Sequence, residues 1–569
     1  MTQPPPRRLP GMILAMLQTL AAVLLVFGMY RLFRAPVGGW LRADYDSSSF
    51  LFSALLKNVT NLSFWGSMLL AAGFAWANRK QRAWGELLPG GRMHWVVAGL
   101  IVVLAWTGGL YPYNFFFGQA HWMDRTAILL LGLAAWRLPA FFPLLLYAVM
   151  VSYLQWRVQP LTDAEFTNRK LVLDMAWVLC AAGLARPVIQ RWLPRAVYAG
   201  TLALLNACLI HYWIPGLAKL KIGMHHLDWL MNDELFNLTA STCVYGWTAF
   251  WNQEQLSLFL ETVVPFGLPL KLFVLIVELA LVTAFWSRRW FVCLSLGRVM
   301  LHAGIFVCSG DSFWNWILLQ LAVTMAFVEW PSRKKDLVSA APETSRTGPA
   351  APVALPFFSW QTAIVAAASL LLTANSHMAS NLAWFDSQLT ERYNFYAVMQ
   401  DGRRLYINPD FFEPYEFAFI QSQFHYFHEK QPEKILTRTF GAIHDAKVAQ
   451  EVRQARTPEQ MRLMIDKHGK EVRDPKRVAA FSVFLNRWFS HYWTWEGQAS
   501  RTLHFLSPPL HAYVLSKAPP EQTYHGEKGV LRIQIEFERT FFDGQNFREM
   551  DKRIVHEVSL TDPASTRSE

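Results

Sequence analysis

Cysteine is scarce in this chain. There are five in 569 residues, Cys180, Cys208, Cys243, Cys293 and Cys308, and none follows residue 308. None has CxxC spacing, so a disulfide framework is not expected, and the pattern leaves the compartment open. The sequence also lacks a glycine-rich phosphate loop, an HExxH pair and a serine elbow, which removes the motifs of nucleotide, zinc-protease and serine-hydrolase chemistry. No internal repeat is present. Charged residues make up 17% of the chain against 53% hydrophobic. The net charge of +11 and pI near 9.4 would suggest nucleic acid in a soluble protein. No basic stripe with interleaved aromatics accompanies them, and nucleic-acid binding is excluded.

Long apolar runs are what the chain does have, with 25 Trp and 41 Phe. They fall near 11–33, 61–77, 94–110, 126–136, 138–154, 171–186, 196–215, 264–286, 291–308, 313–330 and 358–375. The expected fold is mainly α: a polytopic helical membrane bundle of about eleven spans, with the lipid bilayer as a partner. Arg137 and Pro139 divide the fourth run from the fifth. The first run follows Arg7-Arg8 and has no small-residue cleavage site, so it reads as a retained transmembrane helix. "SSFLFSALL", 48–56, is too short to span and is expected at the interface.

Basic residues cluster in alternate loops: Arg79, Lys80, Arg82 and Arg92; Arg186, Arg191 and Arg195; Arg288 and Arg289; Arg333, Lys334 and Lys335. With eleven spans these share a side with Arg7 and Arg8, and the positive-inside rule makes it cytoplasmic. Arg31, Arg34 and Arg42 break the pattern. Loops 110–125, 155–170 and 215–263 then face outward, together with the C-terminal tail. The expected location is a bacterial inner membrane, with the tail periplasmic or extracellular.

The domain boundaries expected are a membrane domain over 1–330, a polar Pro/Ala-rich cytoplasmic linker at 331–357, a last span at 358–375 and an extramembrane domain over 376–569. In the last, "DGRRLYINPDFF" reads as a turn and strand and "GVLRIQIEFERTFFDG" as a half-buried strand. "EQMRLMIDKHGKEV" and "PKRVAAFSVFLNRWFSHYW" have helical spacing, which makes the domain α+β. Its His425, His428, His491 and His504 lie among aromatics and are expected in the core.

Two stretches carry chemistry. In "HYWIPGLAKLKIGMHHLDW", Lys219 and Lys221 follow Pro215-Gly216, a natural helix kink or stop. Such lysines either snorkel to the interface or, in a partly dry pocket, serve as a base. His225, His226 and Asp228 are metal-ligand types, but adjacent histidines on a helix point apart, and no metal site is expected. In the second stretch, 275–330, Glu278 lies inside a span. Arg298 and His302, four residues apart, share one face of the next. Ionisable groups inside a membrane point either to function or to a pair that holds helices together. Asp311 and Asn315 are expected to cap the following helix.

In this order the residues resemble the HTTM superfamily, the membrane fold that includes vitamin K-dependent gamma-glutamyl carboxylase. The first element is aromatic–x–x–Gly–x–x–Lys–Leu followed by Trp: Tyr212 or Trp213, Gly216, Lys219, Leu220 and Trp229. The second is Glu278, Arg288-Arg289, His302 and the turn Gly310–Phe313. The resemblance covers roughly 60–330. It implies a lyase acting through a reduced quinone like vitamin K hydroquinone. Lys219 would be the base that deprotonates the quinol, with Glu278 and His302 beside it as catalytic residues and Trp213 and Arg298 binding the cofactor. A protein or peptide glutamate at the outer face would be carboxylated. Two departures stand out. The carboxylase has two adjacent lysines where this chain has Ala218 before Lys219, and "MNDELFNLTASTCVYGWTAFWNQEQ" has no counterpart in the pattern.

A second reading is a non-catalytic membrane scaffold or assembly factor that acts through its C-terminal domain, with Glu278, Arg298 and His302 as packing groups. A transporter would be expected to show repeated halves with interrupted helices, and none is seen.

Overall fold

The computed structural model describes residues 9–111, 114–158, 161, 164–329, 354–421, 424–428, 441–470, 472–495 and 505–560. Most of the expected linker and His504 lie outside these residues.

All eleven apolar runs are helical. Five stretches are long and apolar enough to cross a membrane: Pro10–Gly39, Arg169–Trp192, Ala199–Lys221, Gln253–Trp286 and Arg288–Ser309. The other helices are shorter: Leu62–Ala77, His94–Leu110, Trp122–Arg137, Phe142–Gln155, Trp314–Phe327 and Trp360–Thr373. At 1.5 Å per residue, a 14-residue helix such as Trp314–Phe327 rises about 21 Å, less than the roughly 30 Å of a hydrocarbon core. The fourth and fifth runs are separate helices, since Leu138 before Pro139 is extended and a short 3-10 turn follows. Large apolar side chains such as Leu69, Leu130, Leu133, Met300, Val307 and Leu371 stand exposed on the helices. Such a surface is consistent with an integral membrane bundle.

Residues 50–57, which overlap the short apolar stretch 48–56, form a helix of eight residues, too short to span. Its start is pinned inside the protein: buried Asp124 accepts hydrogen bonds from the Ser49 hydroxyl at 2.6 Å and from the Phe50 and Leu51 amides at 2.6 and 3.1 Å. A carboxylate at a helix N-terminus is favoured by the free amides there.

The Ala199–Lys221 helix is apolar all round and is buried almost continuously from Ala199 to Gly216, as such a helix must be. It does not stop at Pro215-Gly216 but continues to Lys221. Pro215 removes one amide, which a packed membrane helix tolerates. Gly216 instead marks a close crossing. A Cβ there would lie 2.9 Å from the Glu278 Cβ and 3.0 Å from the Leu279 side chain. On the opposite side of the Gly267–Leu279 helix, a Cβ on Gly297 would lie 2.9 Å from Val277. One helix is thus held between two neighbours by a glycine on each, the small-residue packing of membrane helices.

The C-terminal domain is α+β. A four-stranded antiparallel sheet has the order Arg404–Ile407, Leu389–Met399, Val530–Phe542, Phe547–Ser559. Phe395 faces Ile535 and Tyr393 faces Phe537 across its centre. The Pro475–Trp495 helix covers the sheet, with Phe481 6.0 Å from the Phe395 ring. The domain docks on the bundle through backbone contacts. The Ser312 amide donates to the His511 carbonyl at 2.7 Å, Arg487 donates to the Phe116 carbonyl at 2.7 Å, and Arg392 donates to the Val244 carbonyl at 2.6 Å. Of the tail histidines, His428 is buried and His491 bonds the Phe115 carbonyl at 2.9 Å.

Candidate functional site

The Gly216 crossing brings the Lys219 and Glu278 helices together, and their side chains meet. Lys219 Nζ donates to both Glu278 carboxylate oxygens, at 2.7 and 2.8 Å. The two side chains are 12% and 6% exposed, so the pair is shielded from solvent. Nζ also lies 5.6 Å from the centre of the Trp229 ring. Lys219 therefore turns inward, whereas Lys221 is exposed at the helix end.

Both members of the pair line a cavity of about 210 Å³ between the bundle and the C-terminal domain. His211, Pro215 and Lys219 recur every four residues, so one helix face supplies one wall. His302 and Trp316 come from the Arg288–Ser309 and Trp314–Phe327 helices, and His302 Nε2 lies 3.0 Å from the Tyr212 hydroxyl. Phe313 and Trp316 pack on the His302 ring at 4.9 and 5.2 Å. Trp384, Asp386, Phe417 and Gln421 close the cavity from the C-terminal domain.

Lys219, Glu278 and His302 thus face one space. Arg298 and Trp213 do not line it. Arg298 is fully buried, donating to Gln320 Oε1 and Ser295 Oγ at 2.8 Å each, with its guanidinium 5.4 Å from the Tyr212 ring. It contacts the back of Tyr212 and its bonds tie two helices together. Trp213, adjacent to Tyr212 on the helix, is buried in the bundle core; of the two aromatics in the pattern, Tyr212 faces the cavity. Asp311 lines the cavity. Its place is fixed by backbone pairing with Ala512. Asn315 bonds the next amide, Trp316, at 2.9 Å. His225 and His226 are exposed.

Sequence reasoning missed a second acidic element. Asp233 follows a short helix in the 215–263 loop, and Asp386 begins the C-terminal domain. The Asp386 amide donates to Asp233 Oδ1 at 2.8 Å, and Trp384 Nε1 donates to Asp386 Oδ1 at 2.9 Å. Lys271 Nζ donates to the Asp233 backbone carbonyl at 2.7 Å. Burial pushes the Asp233 carboxyl up to about 6. Burial, reinforced by repulsion from Asp233, holds Asp386 well above the usual carboxylate range. His211 did carry a signal, its spacing of eight from Lys219. Asp386 and Trp384 carried none, because they reach the site from another domain.

No family model, no curated protein and no solved structure matches this chain.

Chemically, the cavity offers one amine held by one carboxylate, a histidine and aromatic walls. Moving a proton from Nζ to Glu278 across 2.7 Å leaves an uncharged amine and a neutral acid. In a dry site that exchange removes two charges at once, and the amine becomes a base. The aromatic walls suit a flat ring. A cavity of about 150 Å³ already admits benzene, so this one admits a substituted ring.

Proposed function

We propose that this chain is a polytopic membrane enzyme of the quinol-dependent carboxylase type, with Lys219 as the base that takes a phenolic proton. The observation that carries the reading is the Lys219–Glu278 pair facing an aromatic-walled cavity. It joins the residue pattern Gly216, Lys219, Trp229, Glu278 and His302. A reduced quinone bound there would supply the phenolic proton and the electrons that reduce dioxygen, and carbon dioxide would be the group added to the glutamate. Lys219 binds the ring hydroxyl and takes its proton. Glu278 sets the charge and direction of Nζ. His302, oriented by Tyr212 and packed against Phe313 and the edge-on Trp316, donates a hydrogen bond to the far side of the ring. Trp229 and Trp384 exclude water above the amine. In this reading the eleven helices cross the bilayer, the N-terminus is cytoplasmic, and the cavity and C-terminal domain are on the outer side, where a glutamyl peptide would enter.

One observation favours a second reading. Lys219 and Glu278 satisfy one another across a glycine-tight crossing, which is also how a purely structural helix clamp would look. The Lys219→Ala variant, purified in detergent and shown to be folded, separates the two. Loss of quinol turnover is expected; undiminished turnover would remove Lys219 from the chemistry and leave the scaffold reading.

A further inference from the structure

Asp174 is an acid in the middle of an apolar helix, with no solvent exposure. A carboxyl group there is costly unless it has partners, and its partners lead in two directions. On one side His211 Nε2 lies 2.9 Å from Asp174 Oδ2, and His211 lines the Lys219 cavity. On the other side the Tyr30 hydroxyl donates to Asp174 Oδ1 at 2.5 Å. Arg34 donates to the same Tyr30 oxygen at 3.1 Å. Tyr30, Arg31 and Arg34 line a second cleft, of about 570 Å³, near the residues that lead into the C-terminal domain. Arg31 and Arg34 are exposed there. The Met378 amide donates to Asp174 Oδ2 at 2.8 Å, and His377 Nδ1 lies 3.5 Å from the same oxygen.

A line of polar groups therefore crosses the bundle from one cavity to another. A structural carboxylate would be satisfied by the Met378 amide and the histidines. It would not need a tyrosine whose oxygen also receives an exposed arginine from the other cleft. We propose that His211, Asp174 and Tyr30 form a proton relay that connects the Lys219 cavity to the cleft lined by Tyr30, Arg31 and Arg34. This inference rests in part on the reading of Lys219 as a base, since a base that takes one proton per turnover must lose it. In the outward direction, Tyr30 releases its hydroxyl proton to water in the cleft, where Arg34 stabilises the oxygen left behind. Asp174 passes a proton to Tyr30, and His211 passes one from Nε2 to Asp174 and takes one from the cavity side. One proton enters and one leaves; the Asp174 carboxyl turns to pass the proton from Oδ2 to Oδ1, and His211, which gains a proton at Nδ1 and loses one from Nε2, regains its starting tautomer when its ring turns over.

The test uses the full chain in nanodiscs and the Tyr30→Phe variant, which keeps the ring and removes the proton. The first readout needs no substrate: rapid mixing into heavy water, following the His211 imidazole infrared band assigned by its loss in His211→Gln. Exchange slowed on the order of tenfold or more in Tyr30→Phe is expected; exchange as fast as in the wild type would overturn the relay. Asp174→Asn, which can still bond Met378, is expected to slow exchange similarly, and fast exchange in it would also overturn the relay. The second readout is turnover of a reduced quinone, where Tyr30→Phe is expected to keep the first turnover and slow the later ones. An equal loss in both phases would contradict the relay. Slowed exchange with no turnover in the wild type would support the relay while removing the quinol reading, so the two fail separately.

Discussion

At the scale of residues, the decisive pair is Lys219 and Glu278. Removing one member of a buried ion pair strands the other, which costs about 3 kcal/mol or more. Glu278→Gln is therefore expected to destabilise the protein by that order, read as a lower midpoint of thermal unfolding in detergent. Replacing both, as Lys219→Met with Glu278→Leu, is expected to recover much of the loss, since a well-packed apolar pair avoids desolvation. Recovery of stability without recovery of turnover would separate packing from chemistry. Lys219, Glu278 and His302 stand out in the sequence because ionisable groups are conspicuous among apolar ones. Asp311 read in the sequence as a cap of the following helix, and its place on the cavity wall was not legible. Its place depends on pairing with Ala512, some two hundred residues later in the chain. Arg298 looked like a ligand-binding group by the same logic of conspicuous charge, but Gln320 and Ser295 take up its Nε and Nη2 donors and it lies outside the cavity lining.

At the scale of elements, the apolar runs announced the helices, but their ends and crossings were not legible. Proline at 215 suggested a kink or stop, yet the helix continues for six residues, to Lys221. Neighbouring helices supply the packing that offsets one lost hydrogen bond. The buried strand Leu389–Met399 escaped notice because it is buried on both faces, which hides the alternation that marks a half-exposed strand. Its polar residues find partners inside: Glu391 receives Arg539 at 2.7 and 2.9 Å, and Arg392 donates to the Val244 carbonyl. The glycine crossing gives a prediction at this scale. Gly216→Ala puts a methyl 2.9 Å from the Glu278 Cβ, and overpacking of this kind costs about 1–3 kcal/mol. It is expected to lower both the unfolding midpoint and turnover, because it pushes Glu278 away from Lys219. Gly28→Ala, with nothing within 4 Å of the new methyl, serves as the control and is expected to do neither.

At the scale of the whole molecule, the cavity exists only because the C-terminal domain sits on the bundle. Sequence patterns describe each part and say nothing of their docking. Asp233 and Asp386 form part of the junction, and they make it sensitive to pH. Burial raises Asp233 from the ordinary 3.8 to about 6, and burial with repulsion from Asp233 also holds Asp386 well above its usual range. The folded chain therefore holds protons that the unfolded chain releases, so stability falls as pH rises through that window. The unfolding midpoint is expected to drop from about pH 5 to about pH 8, and Asp386→Asn is expected to flatten the drop. The Asn side-chain oxygen can still accept from Trp384. The central claim, however, concerns one amine. The most direct measurement compares wild type and Lys219→Ala for binding of a reduced quinone, followed by tryptophan fluorescence, and for its turnover. The account predicts that Lys219→Ala still binds the quinol and no longer turns it over. Turnover at the wild-type rate in that variant would contradict it.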